Sequence, residues 1–373
     1  MTADPFIRLV APDLGEAELR EVEQVFASGH LTQGPKVEAF EAAVASRVEA
    51  AHGIATTSAT TALHLAVAAL EIGPGDEVIV PDFTFPATAN VVVQQGARPV
   101  LVDVDPATFT VTLANVAGMV TEKTRAIIPV HAFGLAADVD PIVAFAREKG
   151  LTVIEDAACA IGTTYHGRPV GAIGDLGCFS FHPRKAITTG EGGMVTTDNQ
   201  ALADRLRLLR NHGGLRAAGR FTFEAAGFNY RMSDILAAIG LAQMRRLDAM
   251  IAEKRRLADG YRSALAGLAG ATLPIEPIWG GHVYQSFVIM LDDAIDRDLV
   301  ISRMRAREIE TTLGTYALHA EPFFRRTYGY RVGDLPGSWA AYRHSLTLPL
   351  YPGLGDGGVA RVAGALRDVL AQA

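Results

Sequence analysis

The feature that most constrains the fold is an alternation of short apolar runs with amphipathic helical patterns. Short β-rich runs separated by helical stretches are typical of βα units on a mostly parallel sheet, so the pattern predicts an α/β fold. The predicted strands are Glu77–Val80, Pro99–Val104, Ala126–Val130, Leu151–Glu155, Gly177–Phe181 and Gly193–Thr197, with helices at Ala62–Glu71, Ala87–Gln95 and Asp138–Lys149.

Helix patterns at Glu16–Ala27 and Glu38–Val48 precede this alternation, and a different pattern follows it. From Ser233 to Leu265 a long helix pattern runs without proline. Strand patterns at Gln285–Leu291 and Ile309–Leu313, with further helices, complete the chain. We therefore expect a large domain over residues 1–235, including the N-terminal helices, and a smaller α+β domain over residues 236–373.

The most informative segment for chemistry is Gly177–Thr197, in which an apolar strand is followed by Lys185 and a glycine-rich turn. The four other lysines are predicted to be solvated surface residues: Lys36, Lys123, Lys149 and Lys254. Lys185 alone lies between two buried strands. Burial beside a cation such as Arg184 would lower the pKa of its amine and favour condensation with an aldehyde. The alternative is a surface lysine on a strand-exit loop.

Asp156 follows another predicted strand, in a segment with little other charge. A carboxylate at the end of a buried strand is costly unless it has a cationic partner. A pyridinium nitrogen is such a partner, and keeping it protonated makes an aromatic cofactor an electron sink. An N-cap or a structural ion pair is the alternative role.

The hydroxyl-rich turn Thr57–Thr61 directly precedes an apolar helix. Hydroxyls, backbone N–H groups and the helix dipole together suit a phosphate group, although simple capping by Ser58 or Thr60 explains the same residues. Ser180 is a further hydroxyl candidate. Phe83 and Phe85 alternate at another strand exit, where either one could lie flat on a planar ring or cap the core.

Composition argues against several classes of partner. The formal net charge of −7, without a basic stripe along any predicted helix, argues against nucleic acid. No uncharged apolar run reaches the ~18 residues that a membrane span needs, and the acidic N-terminus is unlike a signal peptide. The two cysteines, Cys159 and Cys178, resemble neither a metal site nor a disulfide framework. A cytoplasmic enzyme without a metal site is expected.

With these pieces in order, the chain resembles the DegT/DnrJ/EryC1/StrS family of sugar aminotransferases over nearly its whole length. The resemblance rests on eight segments in register: LTQGPKVEAFE, TSATTALHLA, GPGDEVIVPDFTFPATAN, AIIPVHAFG, VIEDAACA, CFSFHPRKAITTGEGGMV, GFNYRMSDILAAIGLAQMRRLD and LTLPLYPGL.

The resemblance implies a fold-type I architecture, a three-layer large domain around a mostly parallel seven-stranded sheet, and pyridoxal 5'-phosphate as cofactor. Lys185 would bind the cofactor as a Schiff base and move protons, Asp156 would pair with the pyridine nitrogen, and Phe85 would stack on the ring. The phosphate would contact Ser58, Ala59, Thr60, Ser180 and, from the neighbouring subunit of a homodimer with shared active sites, Asn229. The implied sugar site includes Thr32, Gly34, Tyr316 and His319, with His182 and Arg231 as further candidate substrate contacts.

Two residues depart from the family pattern. Cys159 replaces a glutamine that in many members hydrogen-bonds the cofactor hydroxyl, and a thiol is a weaker partner. Ile161 replaces a frequent histidine. We interpret both as variation within the family. A dehydratase branch replaces the Schiff-base lysine with histidine, so Lys185 argues against that branch.

The implied reaction has two halves. L-Glutamate gives its amine to the cofactor and leaves as 2-oxoglutarate, and the ketone of a nucleotide-linked keto-deoxy sugar is then aminated. Candidate cations for the substrate diphosphate are Arg184, Arg216, Arg220 and Arg231, each of which could equally be a solvated surface residue. The alternatives are an aminotransferase for a keto-cyclitol or another ketone, and a non-catalytic regulatory protein of the same fold.

Overall fold

The computed structural model describes residues 6–217 and 219–372. Within them the strands are β1 (His52–Thr56), β2 (Glu77–Pro81), β3 (Phe83–Thr84), β4 (Arg98–Val102), β5 (Thr124–Ile127), β6 (Thr152–Asp156), β7 (Thr164–Tyr165), β8 (Arg168–Pro169), β9 (Leu176–Ser180), β10 (Gly193–Thr197), β11 (Gly214–Ala217), β12 (Arg220–Phe223), β13 (Ala271–Thr272), β14 (Gly280–Gly281), β15 (Phe287–Leu291), β16 (Thr312–Leu313), β17 (Tyr316–Ala317) and β18 (Ser345–Leu348).

The α-helices of the same residues are α1 (Glu16–Ser28), α2 (Pro35–Arg47), α3 (Ala59–Ala69), α4 (Ala87–Gln94), α5 (Leu113–Ala117), α6 (Val139–Lys149), α7 (Gln200–Arg210), α8 (Asp234–Met244), α9 (Leu247–Ala264), α10 (Arg297–Arg305), α11 (Pro322–Tyr328), α12 (Pro336–His344) and α13 (Gly355–Leu370). None of these helices combines the length and the apolar character that a bilayer span requires.

A seven-stranded sheet in the order β1-β10-β9-β6-β5-β2-β4 organises the first two thirds of the chain. Six of these strands run in the same direction, and β10 runs in the opposite one. Both faces are covered, since Val78 and Val80 pack with α3 and α4 whereas Ile79, between them, packs with α6 on the opposite side. The predicted three-layer α/β fold is confirmed.

The sequence pattern did not predict β1, which directly precedes the hydroxyl-rich turn Thr57–Thr61. β1 lies at the edge of the sheet and pairs only with β10. Its threonine and glycine weaken the apolar signal, and its strand conformation depends on pairing with residues far along the chain. Because β1 ends at Thr56, it delivers the hydroxyl-rich turn to the start of α3.

The C-terminal part has its own core, built on an antiparallel sheet in the order β13-β15-β18-β16 and on α9, α10 and α13. The predicted long helix is two helices, because α8 packs against α1 and α2 whereas α9 packs along α13. The change of packing partner thus falls near Arg245, and the domain boundary at residue 235 stays a prediction. Ile7, at the other end of the chain, also belongs to this C-terminal core.

Candidate active site

Asp156 ends β6 at the carboxyl edge of the parallel sheet. It is 5% exposed, and its carboxylate accepts hydrogen bonds from Thr88 Oγ1 at 2.8 Å and from the Ala158 N–H at 3.1 Å. Burial raises the pKa of this carboxyl above its usual range, while these bonds and the charge of Lys185 oppose part of the rise. No ion pair among the described residues includes Asp156, so its carboxylate lacks the close cation that a buried charge needs.

Lys185 lies in the turn between β9 and β10, where its backbone N–H donates to the His182 carbonyl at 2.9 Å. Its side chain is half-buried, and Nζ lies 3.0 Å from Cys159 Sγ. Cys159 follows the end of β6, which pairs in parallel with β9. Two adjacent strand ends therefore bring Lys185, Cys159 and Asp156 together.

Thr88 is a site residue that sequence reasoning missed. Besides its bond to Asp156, its hydroxyl lies 3.2 Å from the Phe85 carbonyl oxygen, so it ties the turn before α4 to the end of β6. The turn presents Phe85 with 64% of its surface exposed, whereas Phe83 is buried against Phe109 and Phe133. Of the two candidate rings, Phe85 is the one free to lie on a flat ligand.

The hydroxyl-rich turn forms the N-terminus of α3. Ser58 is the N-cap, and its Oγ accepts from the Thr61 N–H at 3.2 Å. The backbone N–H groups of Ala59 and Thr60 donate no hydrogen bond to the described residues. Two N–H groups without a described partner and the positive end of the helix dipole are the features of an anion-binding helix N-terminus.

Ser180 is brought to the same turn by a close approach of strands. Ser180 pairs with Gly193 across β9 and β10. A Cβ at Gly193 would lie 2.3 Å from the Ser58 carbonyl oxygen and 2.7 Å from the Ala59 nitrogen, so only glycine permits this approach. Ser180, which is 6% exposed, thereby lies beside the α3 N-terminus.

Arg231 and Asn229 lie on the segment leading to α8, next to the same turn. The backbone of Arg231 bridges to Thr56, and its guanidinium donates to Asn211 Oδ1 at 2.7 Å. The backbone of Asn211 in turn bridges to Asn229, whose side chain is exposed. Arg231 therefore lies beside the proposed phosphate turn, while Asn229 lies on open surface of this subunit.

Thr32 and Gly34 have different surroundings. Thr32 is exposed and its backbone bridges to Ser233, near Arg231. The Gly34 N–H donates to Asp234 Oδ1 at 2.7 Å, and a Cβ at Gly34 would lie 2.5 Å from the other carboxylate oxygen. Gly34 thus serves the contact between α2 and α8, and Thr32 keeps a surface for a ligand.

Tyr316 and His319 differ in burial, since Tyr316 is exposed and His319 is buried. Tyr316 pairs with Thr84 across β17 and β3, and its ring lies 6.5 Å from that of Phe85. His319 is fully buried, with Nδ1 2.6 Å from Asp82 Oδ2 and Nε2 accepting from the Gly333 N–H at 3.1 Å. Both ring nitrogens are occupied, so the structure places His319 as a support of the β3–β17 contact and not as a sugar contact.

His182 flanks Lys185, and its Nδ1 accepts from the Arg184 N–H at 3.2 Å. Burial lowers the pKa of His182; the charges of Lys185 and Arg184 add to this effect, and Glu191 opposes it. His182 is thus neutral near pH 7 and able to donate or accept a hydrogen bond. Of the other candidate cations, Arg184 and Arg220 are exposed, and the side chain of Arg216 lies outside the described residues.

Lys254, predicted to be a surface lysine, is 2% exposed. Its Nζ donates to the Gln285 carbonyl at 3.2 Å, and it lines the same small cavity as Lys185. The prediction was wrong because the helical pattern around Lys254 is polar, while its burial arises from the packing of α9 against the C-terminal sheet.

Glu155 supports the strand end that carries Asp156. Its fully buried carboxylate lies 2.9 Å from His131 Nε2 and accepts from the N–H groups of Gly171, Ile173 and Gly174. Burial alone would raise the pKa of Glu155, but the bonds and charge of His131 and the backbone donors hold it below its ordinary value. Glu155 thus fixes the segment between β6 and β9 in its ionised form.

We expect Glu155→Gln to lower the free energy of unfolding by about 2–3 kcal/mol at neutral pH, since hydrogen bonds to a charged group are lost. The folded-state pKa lies below the unfolded value near 4.5, so this stability is present above pH 4.5 and is lost as the pH falls through the folded value. Urea unfolding at several pH values measures the difference, with exposed Glu148→Gln as control. A difference independent of pH would contradict the role of the charge.

These residues fit pyridoxal phosphate. Asp156 offers a buried carboxylate without a close cation, α3 offers unpaired N–H groups, Phe85 offers an exposed ring, and Lys185 offers an amine at the same sheet edge. Lys185 and Asp156 would hold the reactive part of the cofactor, and Ser58 to Thr60 with Ser180 would hold its phosphate.

Comparisons with known proteins agree with this fit. The sequence profile of the DegT/DnrJ/EryC1/StrS aminotransferase family matches residues 12–367. GDP-perosamine synthase of Caulobacter vibrioides is 41% identical over 98% of this chain and 99% of its own. The aminotransferase TlmJ of Streptoalloteichus hindustanus is 35% identical, with a TM-score of 0.92 over 98% of this chain and 99% of its own. The PLP form of the putative sugar aminotransferase Spr1654 of Streptococcus pneumoniae is 28% identical, with a TM-score of 0.94 over 98% and 99% of the two chains.

The profile match and the relatives cover essentially the whole chain, so fold, cofactor and reaction class are shown together. The chain belongs to the DegT/DnrJ/EryC1/StrS aminotransferase family and is a pyridoxal-phosphate-dependent aminotransferase of the sugar-aminating kind.

Proposed function

We propose that this enzyme transfers the amino group of L-glutamate to the ketone of a nucleotide-linked keto-deoxy sugar, acting in the cytoplasm as a homodimer. The observation that carries the proposal is the convergence of Lys185 and Asp156, whose buried carboxylate forms no ion pair with the described residues, at one sheet edge. The nucleotide is supported by the 41% identical GDP-perosamine synthase. The two free cysteines suit a reducing compartment.

When bound, pyridoxal phosphate supplies an aldehyde that takes up the amino group and a ring that accepts an electron pair. In the first half-reaction Lys185 Nζ would take the proton from the amino-bearing carbon of the donor, and in the second it would deliver a proton to the sugar carbon that receives the amine. Asp156 presents a fixed negative charge to the ring nitrogen, and its burial strengthens that interaction. Phe85 orients the ring, and the α3 N-terminus anchors the phosphate.

Two half-reactions test the substrate assignment. The loaded enzyme is mixed with L-glutamate, and 2-oxoglutarate is measured; the aminated enzyme is then offered GDP-, UDP- and dTDP-linked keto-deoxy sugars, the free sugars and keto-cyclitols. We expect mass spectrometry to detect amination of at least one nucleotide-linked sugar and a much lower rate with its free sugar. Turnover of keto-cyclitols alone would overturn the assignment, and no release of 2-oxoglutarate would exclude glutamate as donor.

The dimer proposal is supported by an exposed apolar hairpin formed by β11 and β12. Leu215, Phe221 and Phe223 are 48%, 46% and 68% exposed, and the two phenyl rings lie 5.3 Å apart. Large apolar side chains clustered on a surface mark interfaces between proteins. The hairpin is close in sequence to Asn229, so a second copy covering it would come near the residue proposed to contact the neighbouring phosphate.

Mixed dimers test the sharing of active sites. Lys185→Ala and Asn229→Asp subunits, each expected to be inactive alone, are co-expressed with different tags. If each site combines Lys185 of one subunit with Asn229 of its partner, about half of the dimers are hybrids with one intact site, giving about a quarter of wild-type activity. If Asn229 acts within its own subunit, hybrid dimers contain no intact site and stay inactive, which would contradict the proposal.

A further inference from the structure

A second lysine lies beneath the proposed catalytic lysine and has no role in the mechanism above. Lys254, on α9 of the C-terminal part, and Lys185, on the β9–β10 turn, line the same cavity of about 20 Å³. Such a cavity is too small for substrate. Since Lys254 is 2% exposed, its ammonium group lies in protein rather than in water.

The surroundings of Lys254 do not neutralise it. Its one direct hydrogen bond among the described residues is to the Gln285 carbonyl, and none of their ion pairs includes it. Burial lowers the pKa of Lys254 to about 8, with the Cys159 thiol opposing this effect and the Lys185 charge adding to it. Lys254 therefore remains mostly protonated at neutral pH and places a buried positive charge close to Lys185.

Gln285 holds this charge in place. Its carbonyl accepts from Lys254, and its side-chain amide donates to the Arg184 carbonyl at 2.8 Å, one residue before Lys185. Gln285 is itself 8% exposed. Gln285 thus links the Lys254 ammonium to the backbone just before Lys185 and keeps the two close together.

We propose that Lys254 is a positioning residue for amino transfer: its buried ammonium group disfavours a second positive charge on the Lys185 nitrogen and keeps that nitrogen available as a base. The inference rests on the proposed role of Lys185. Two like charges in a poorly solvated site each shift the other toward its neutral form. Lys185, which also alternates between bound and free states, is the one whose basicity matters for the reaction.

Other ionisable groups face the two lysines and do not replace this effect. Those around Lys185 and the cavity are Asp156, Cys159, His182, Asp13 and Tyr351. Asp13 is engaged by Arg246 in an ion pair, and neutral His182 adds no charge near pH 7. The charge of Lys185 acts on buried Asp156, where it opposes part of the rise in the pKa of that carboxyl.

Two variants separate charge from shape. Lys254→Met keeps the length of the side chain, and Lys254→Gln keeps a hydrogen-bond donor for the Gln285 carbonyl, but neither carries a charge. The readout is the pH titration of the visible absorbance of the cofactor-loaded protein, which reports the protonation of the Lys185 nitrogen. We expect its midpoint to rise by about one pH unit in both variants, a tenfold change in proton affinity. Exposed Lys123→Met is the control and should leave it unchanged.

A higher titration midpoint should also change the kinetics, because more of the Lys185 nitrogen would be protonated at neutral pH. At neutral pH the variants should lose kcat with little change in KM, and raising the pH should restore it. The inference is overturned if the midpoint of the absorbance titration stays within about 0.2 pH unit of wild type in whichever variant folds. Such a variant, changed only by a lower melting temperature, would show that Lys254 is a structural residue. A visible band that persists in Lys185→Ala would instead overturn the proposed role of Lys185.

Discussion

Replacing Lys185 with alanine is expected to lower the rate of amino transfer by about 1,000-fold or more. A positioned acid–base group contributes about 10²–10⁴-fold, and Lys185 is proposed to serve in both half-reactions. Lys254, the other lysine that lines the cavity among the described residues, cannot substitute for it, because its amine is held by the Gln285 carbonyl. Single-turnover release of 2-oxoglutarate from L-glutamate measures the first half-reaction directly.

Lys149→Ala is the matched control, since Lys149 is 45% exposed and forms an ion pair with its neighbour Glu148 on the surface of α6. It should retain full activity. Pyridoxal phosphate should still bind to Lys185→Ala through the α3 N-terminus, but without the visible absorbance of the wild-type enzyme. A Lys185→Ala enzyme within tenfold of wild-type activity would refute the proposed role of this lysine.

Replacing Asp156 with asparagine is expected to separate function from stability. The amide keeps an acceptor for Thr88 but presents no charge to the cofactor ring, so kcat should fall about 100-fold or more, corresponding to roughly 3 kcal/mol for the loss of one partner of a buried charge pair. The cofactor-free variant should melt at the same temperature as wild type or higher, because a desolvated carboxylate without a close cation has been removed.

Asp175→Asn provides the comparison at the opposite end of the same strands. Asp175 accepts from the Val153 N–H at 2.8 Å, at the start of β6, far from Lys185 along the strand. This variant should lose stability and keep its kcat. The opposite result for Asp156, a destabilised cofactor-free protein with near-normal kcat, would mean that Asp156 is a structural cap.

Local sequence patterns were sufficient for six of the seven strands of the central sheet and for their order along the chain. Strands such as β2 and β9 are continuous apolar runs because both faces of the sheet are covered, and such runs are visible in the sequence. The carboxyl ends of parallel strands meet at one edge, so the positions of Asp156 and Lys185 after two strands predicted that they converge. Edge strand β1 was not predicted, because its conformation depends on pairing with β10, far along the chain.

Burial of individual side chains could not be predicted in the same way. Phe83 and Phe85 have equivalent sequence signals, yet one fills the core and the other stays 64% exposed. The resemblance placed His319 in the sugar site, but Asp82 and Gly333 occupy both of its ring nitrogens in the fold. Thr88 had no distinguishing signal, because a hydroxyl acquires its role only from the carboxylate it meets across the fold.

The two lysines Lys185 and Lys254 show the difference between what the sequence predicts and what packing decides. The sequence by itself determined that Lys185 lies between two buried strands, since strand periodicity is a local property of the chain. Only the tertiary structure decided that Lys254, in a polar helical pattern, is buried beside it, because burial depends on which surfaces of distant elements meet. Short sequence motifs therefore identify the proposed catalytic lysine of this aminotransferase. The packing of distant elements determines which charges surround its amine.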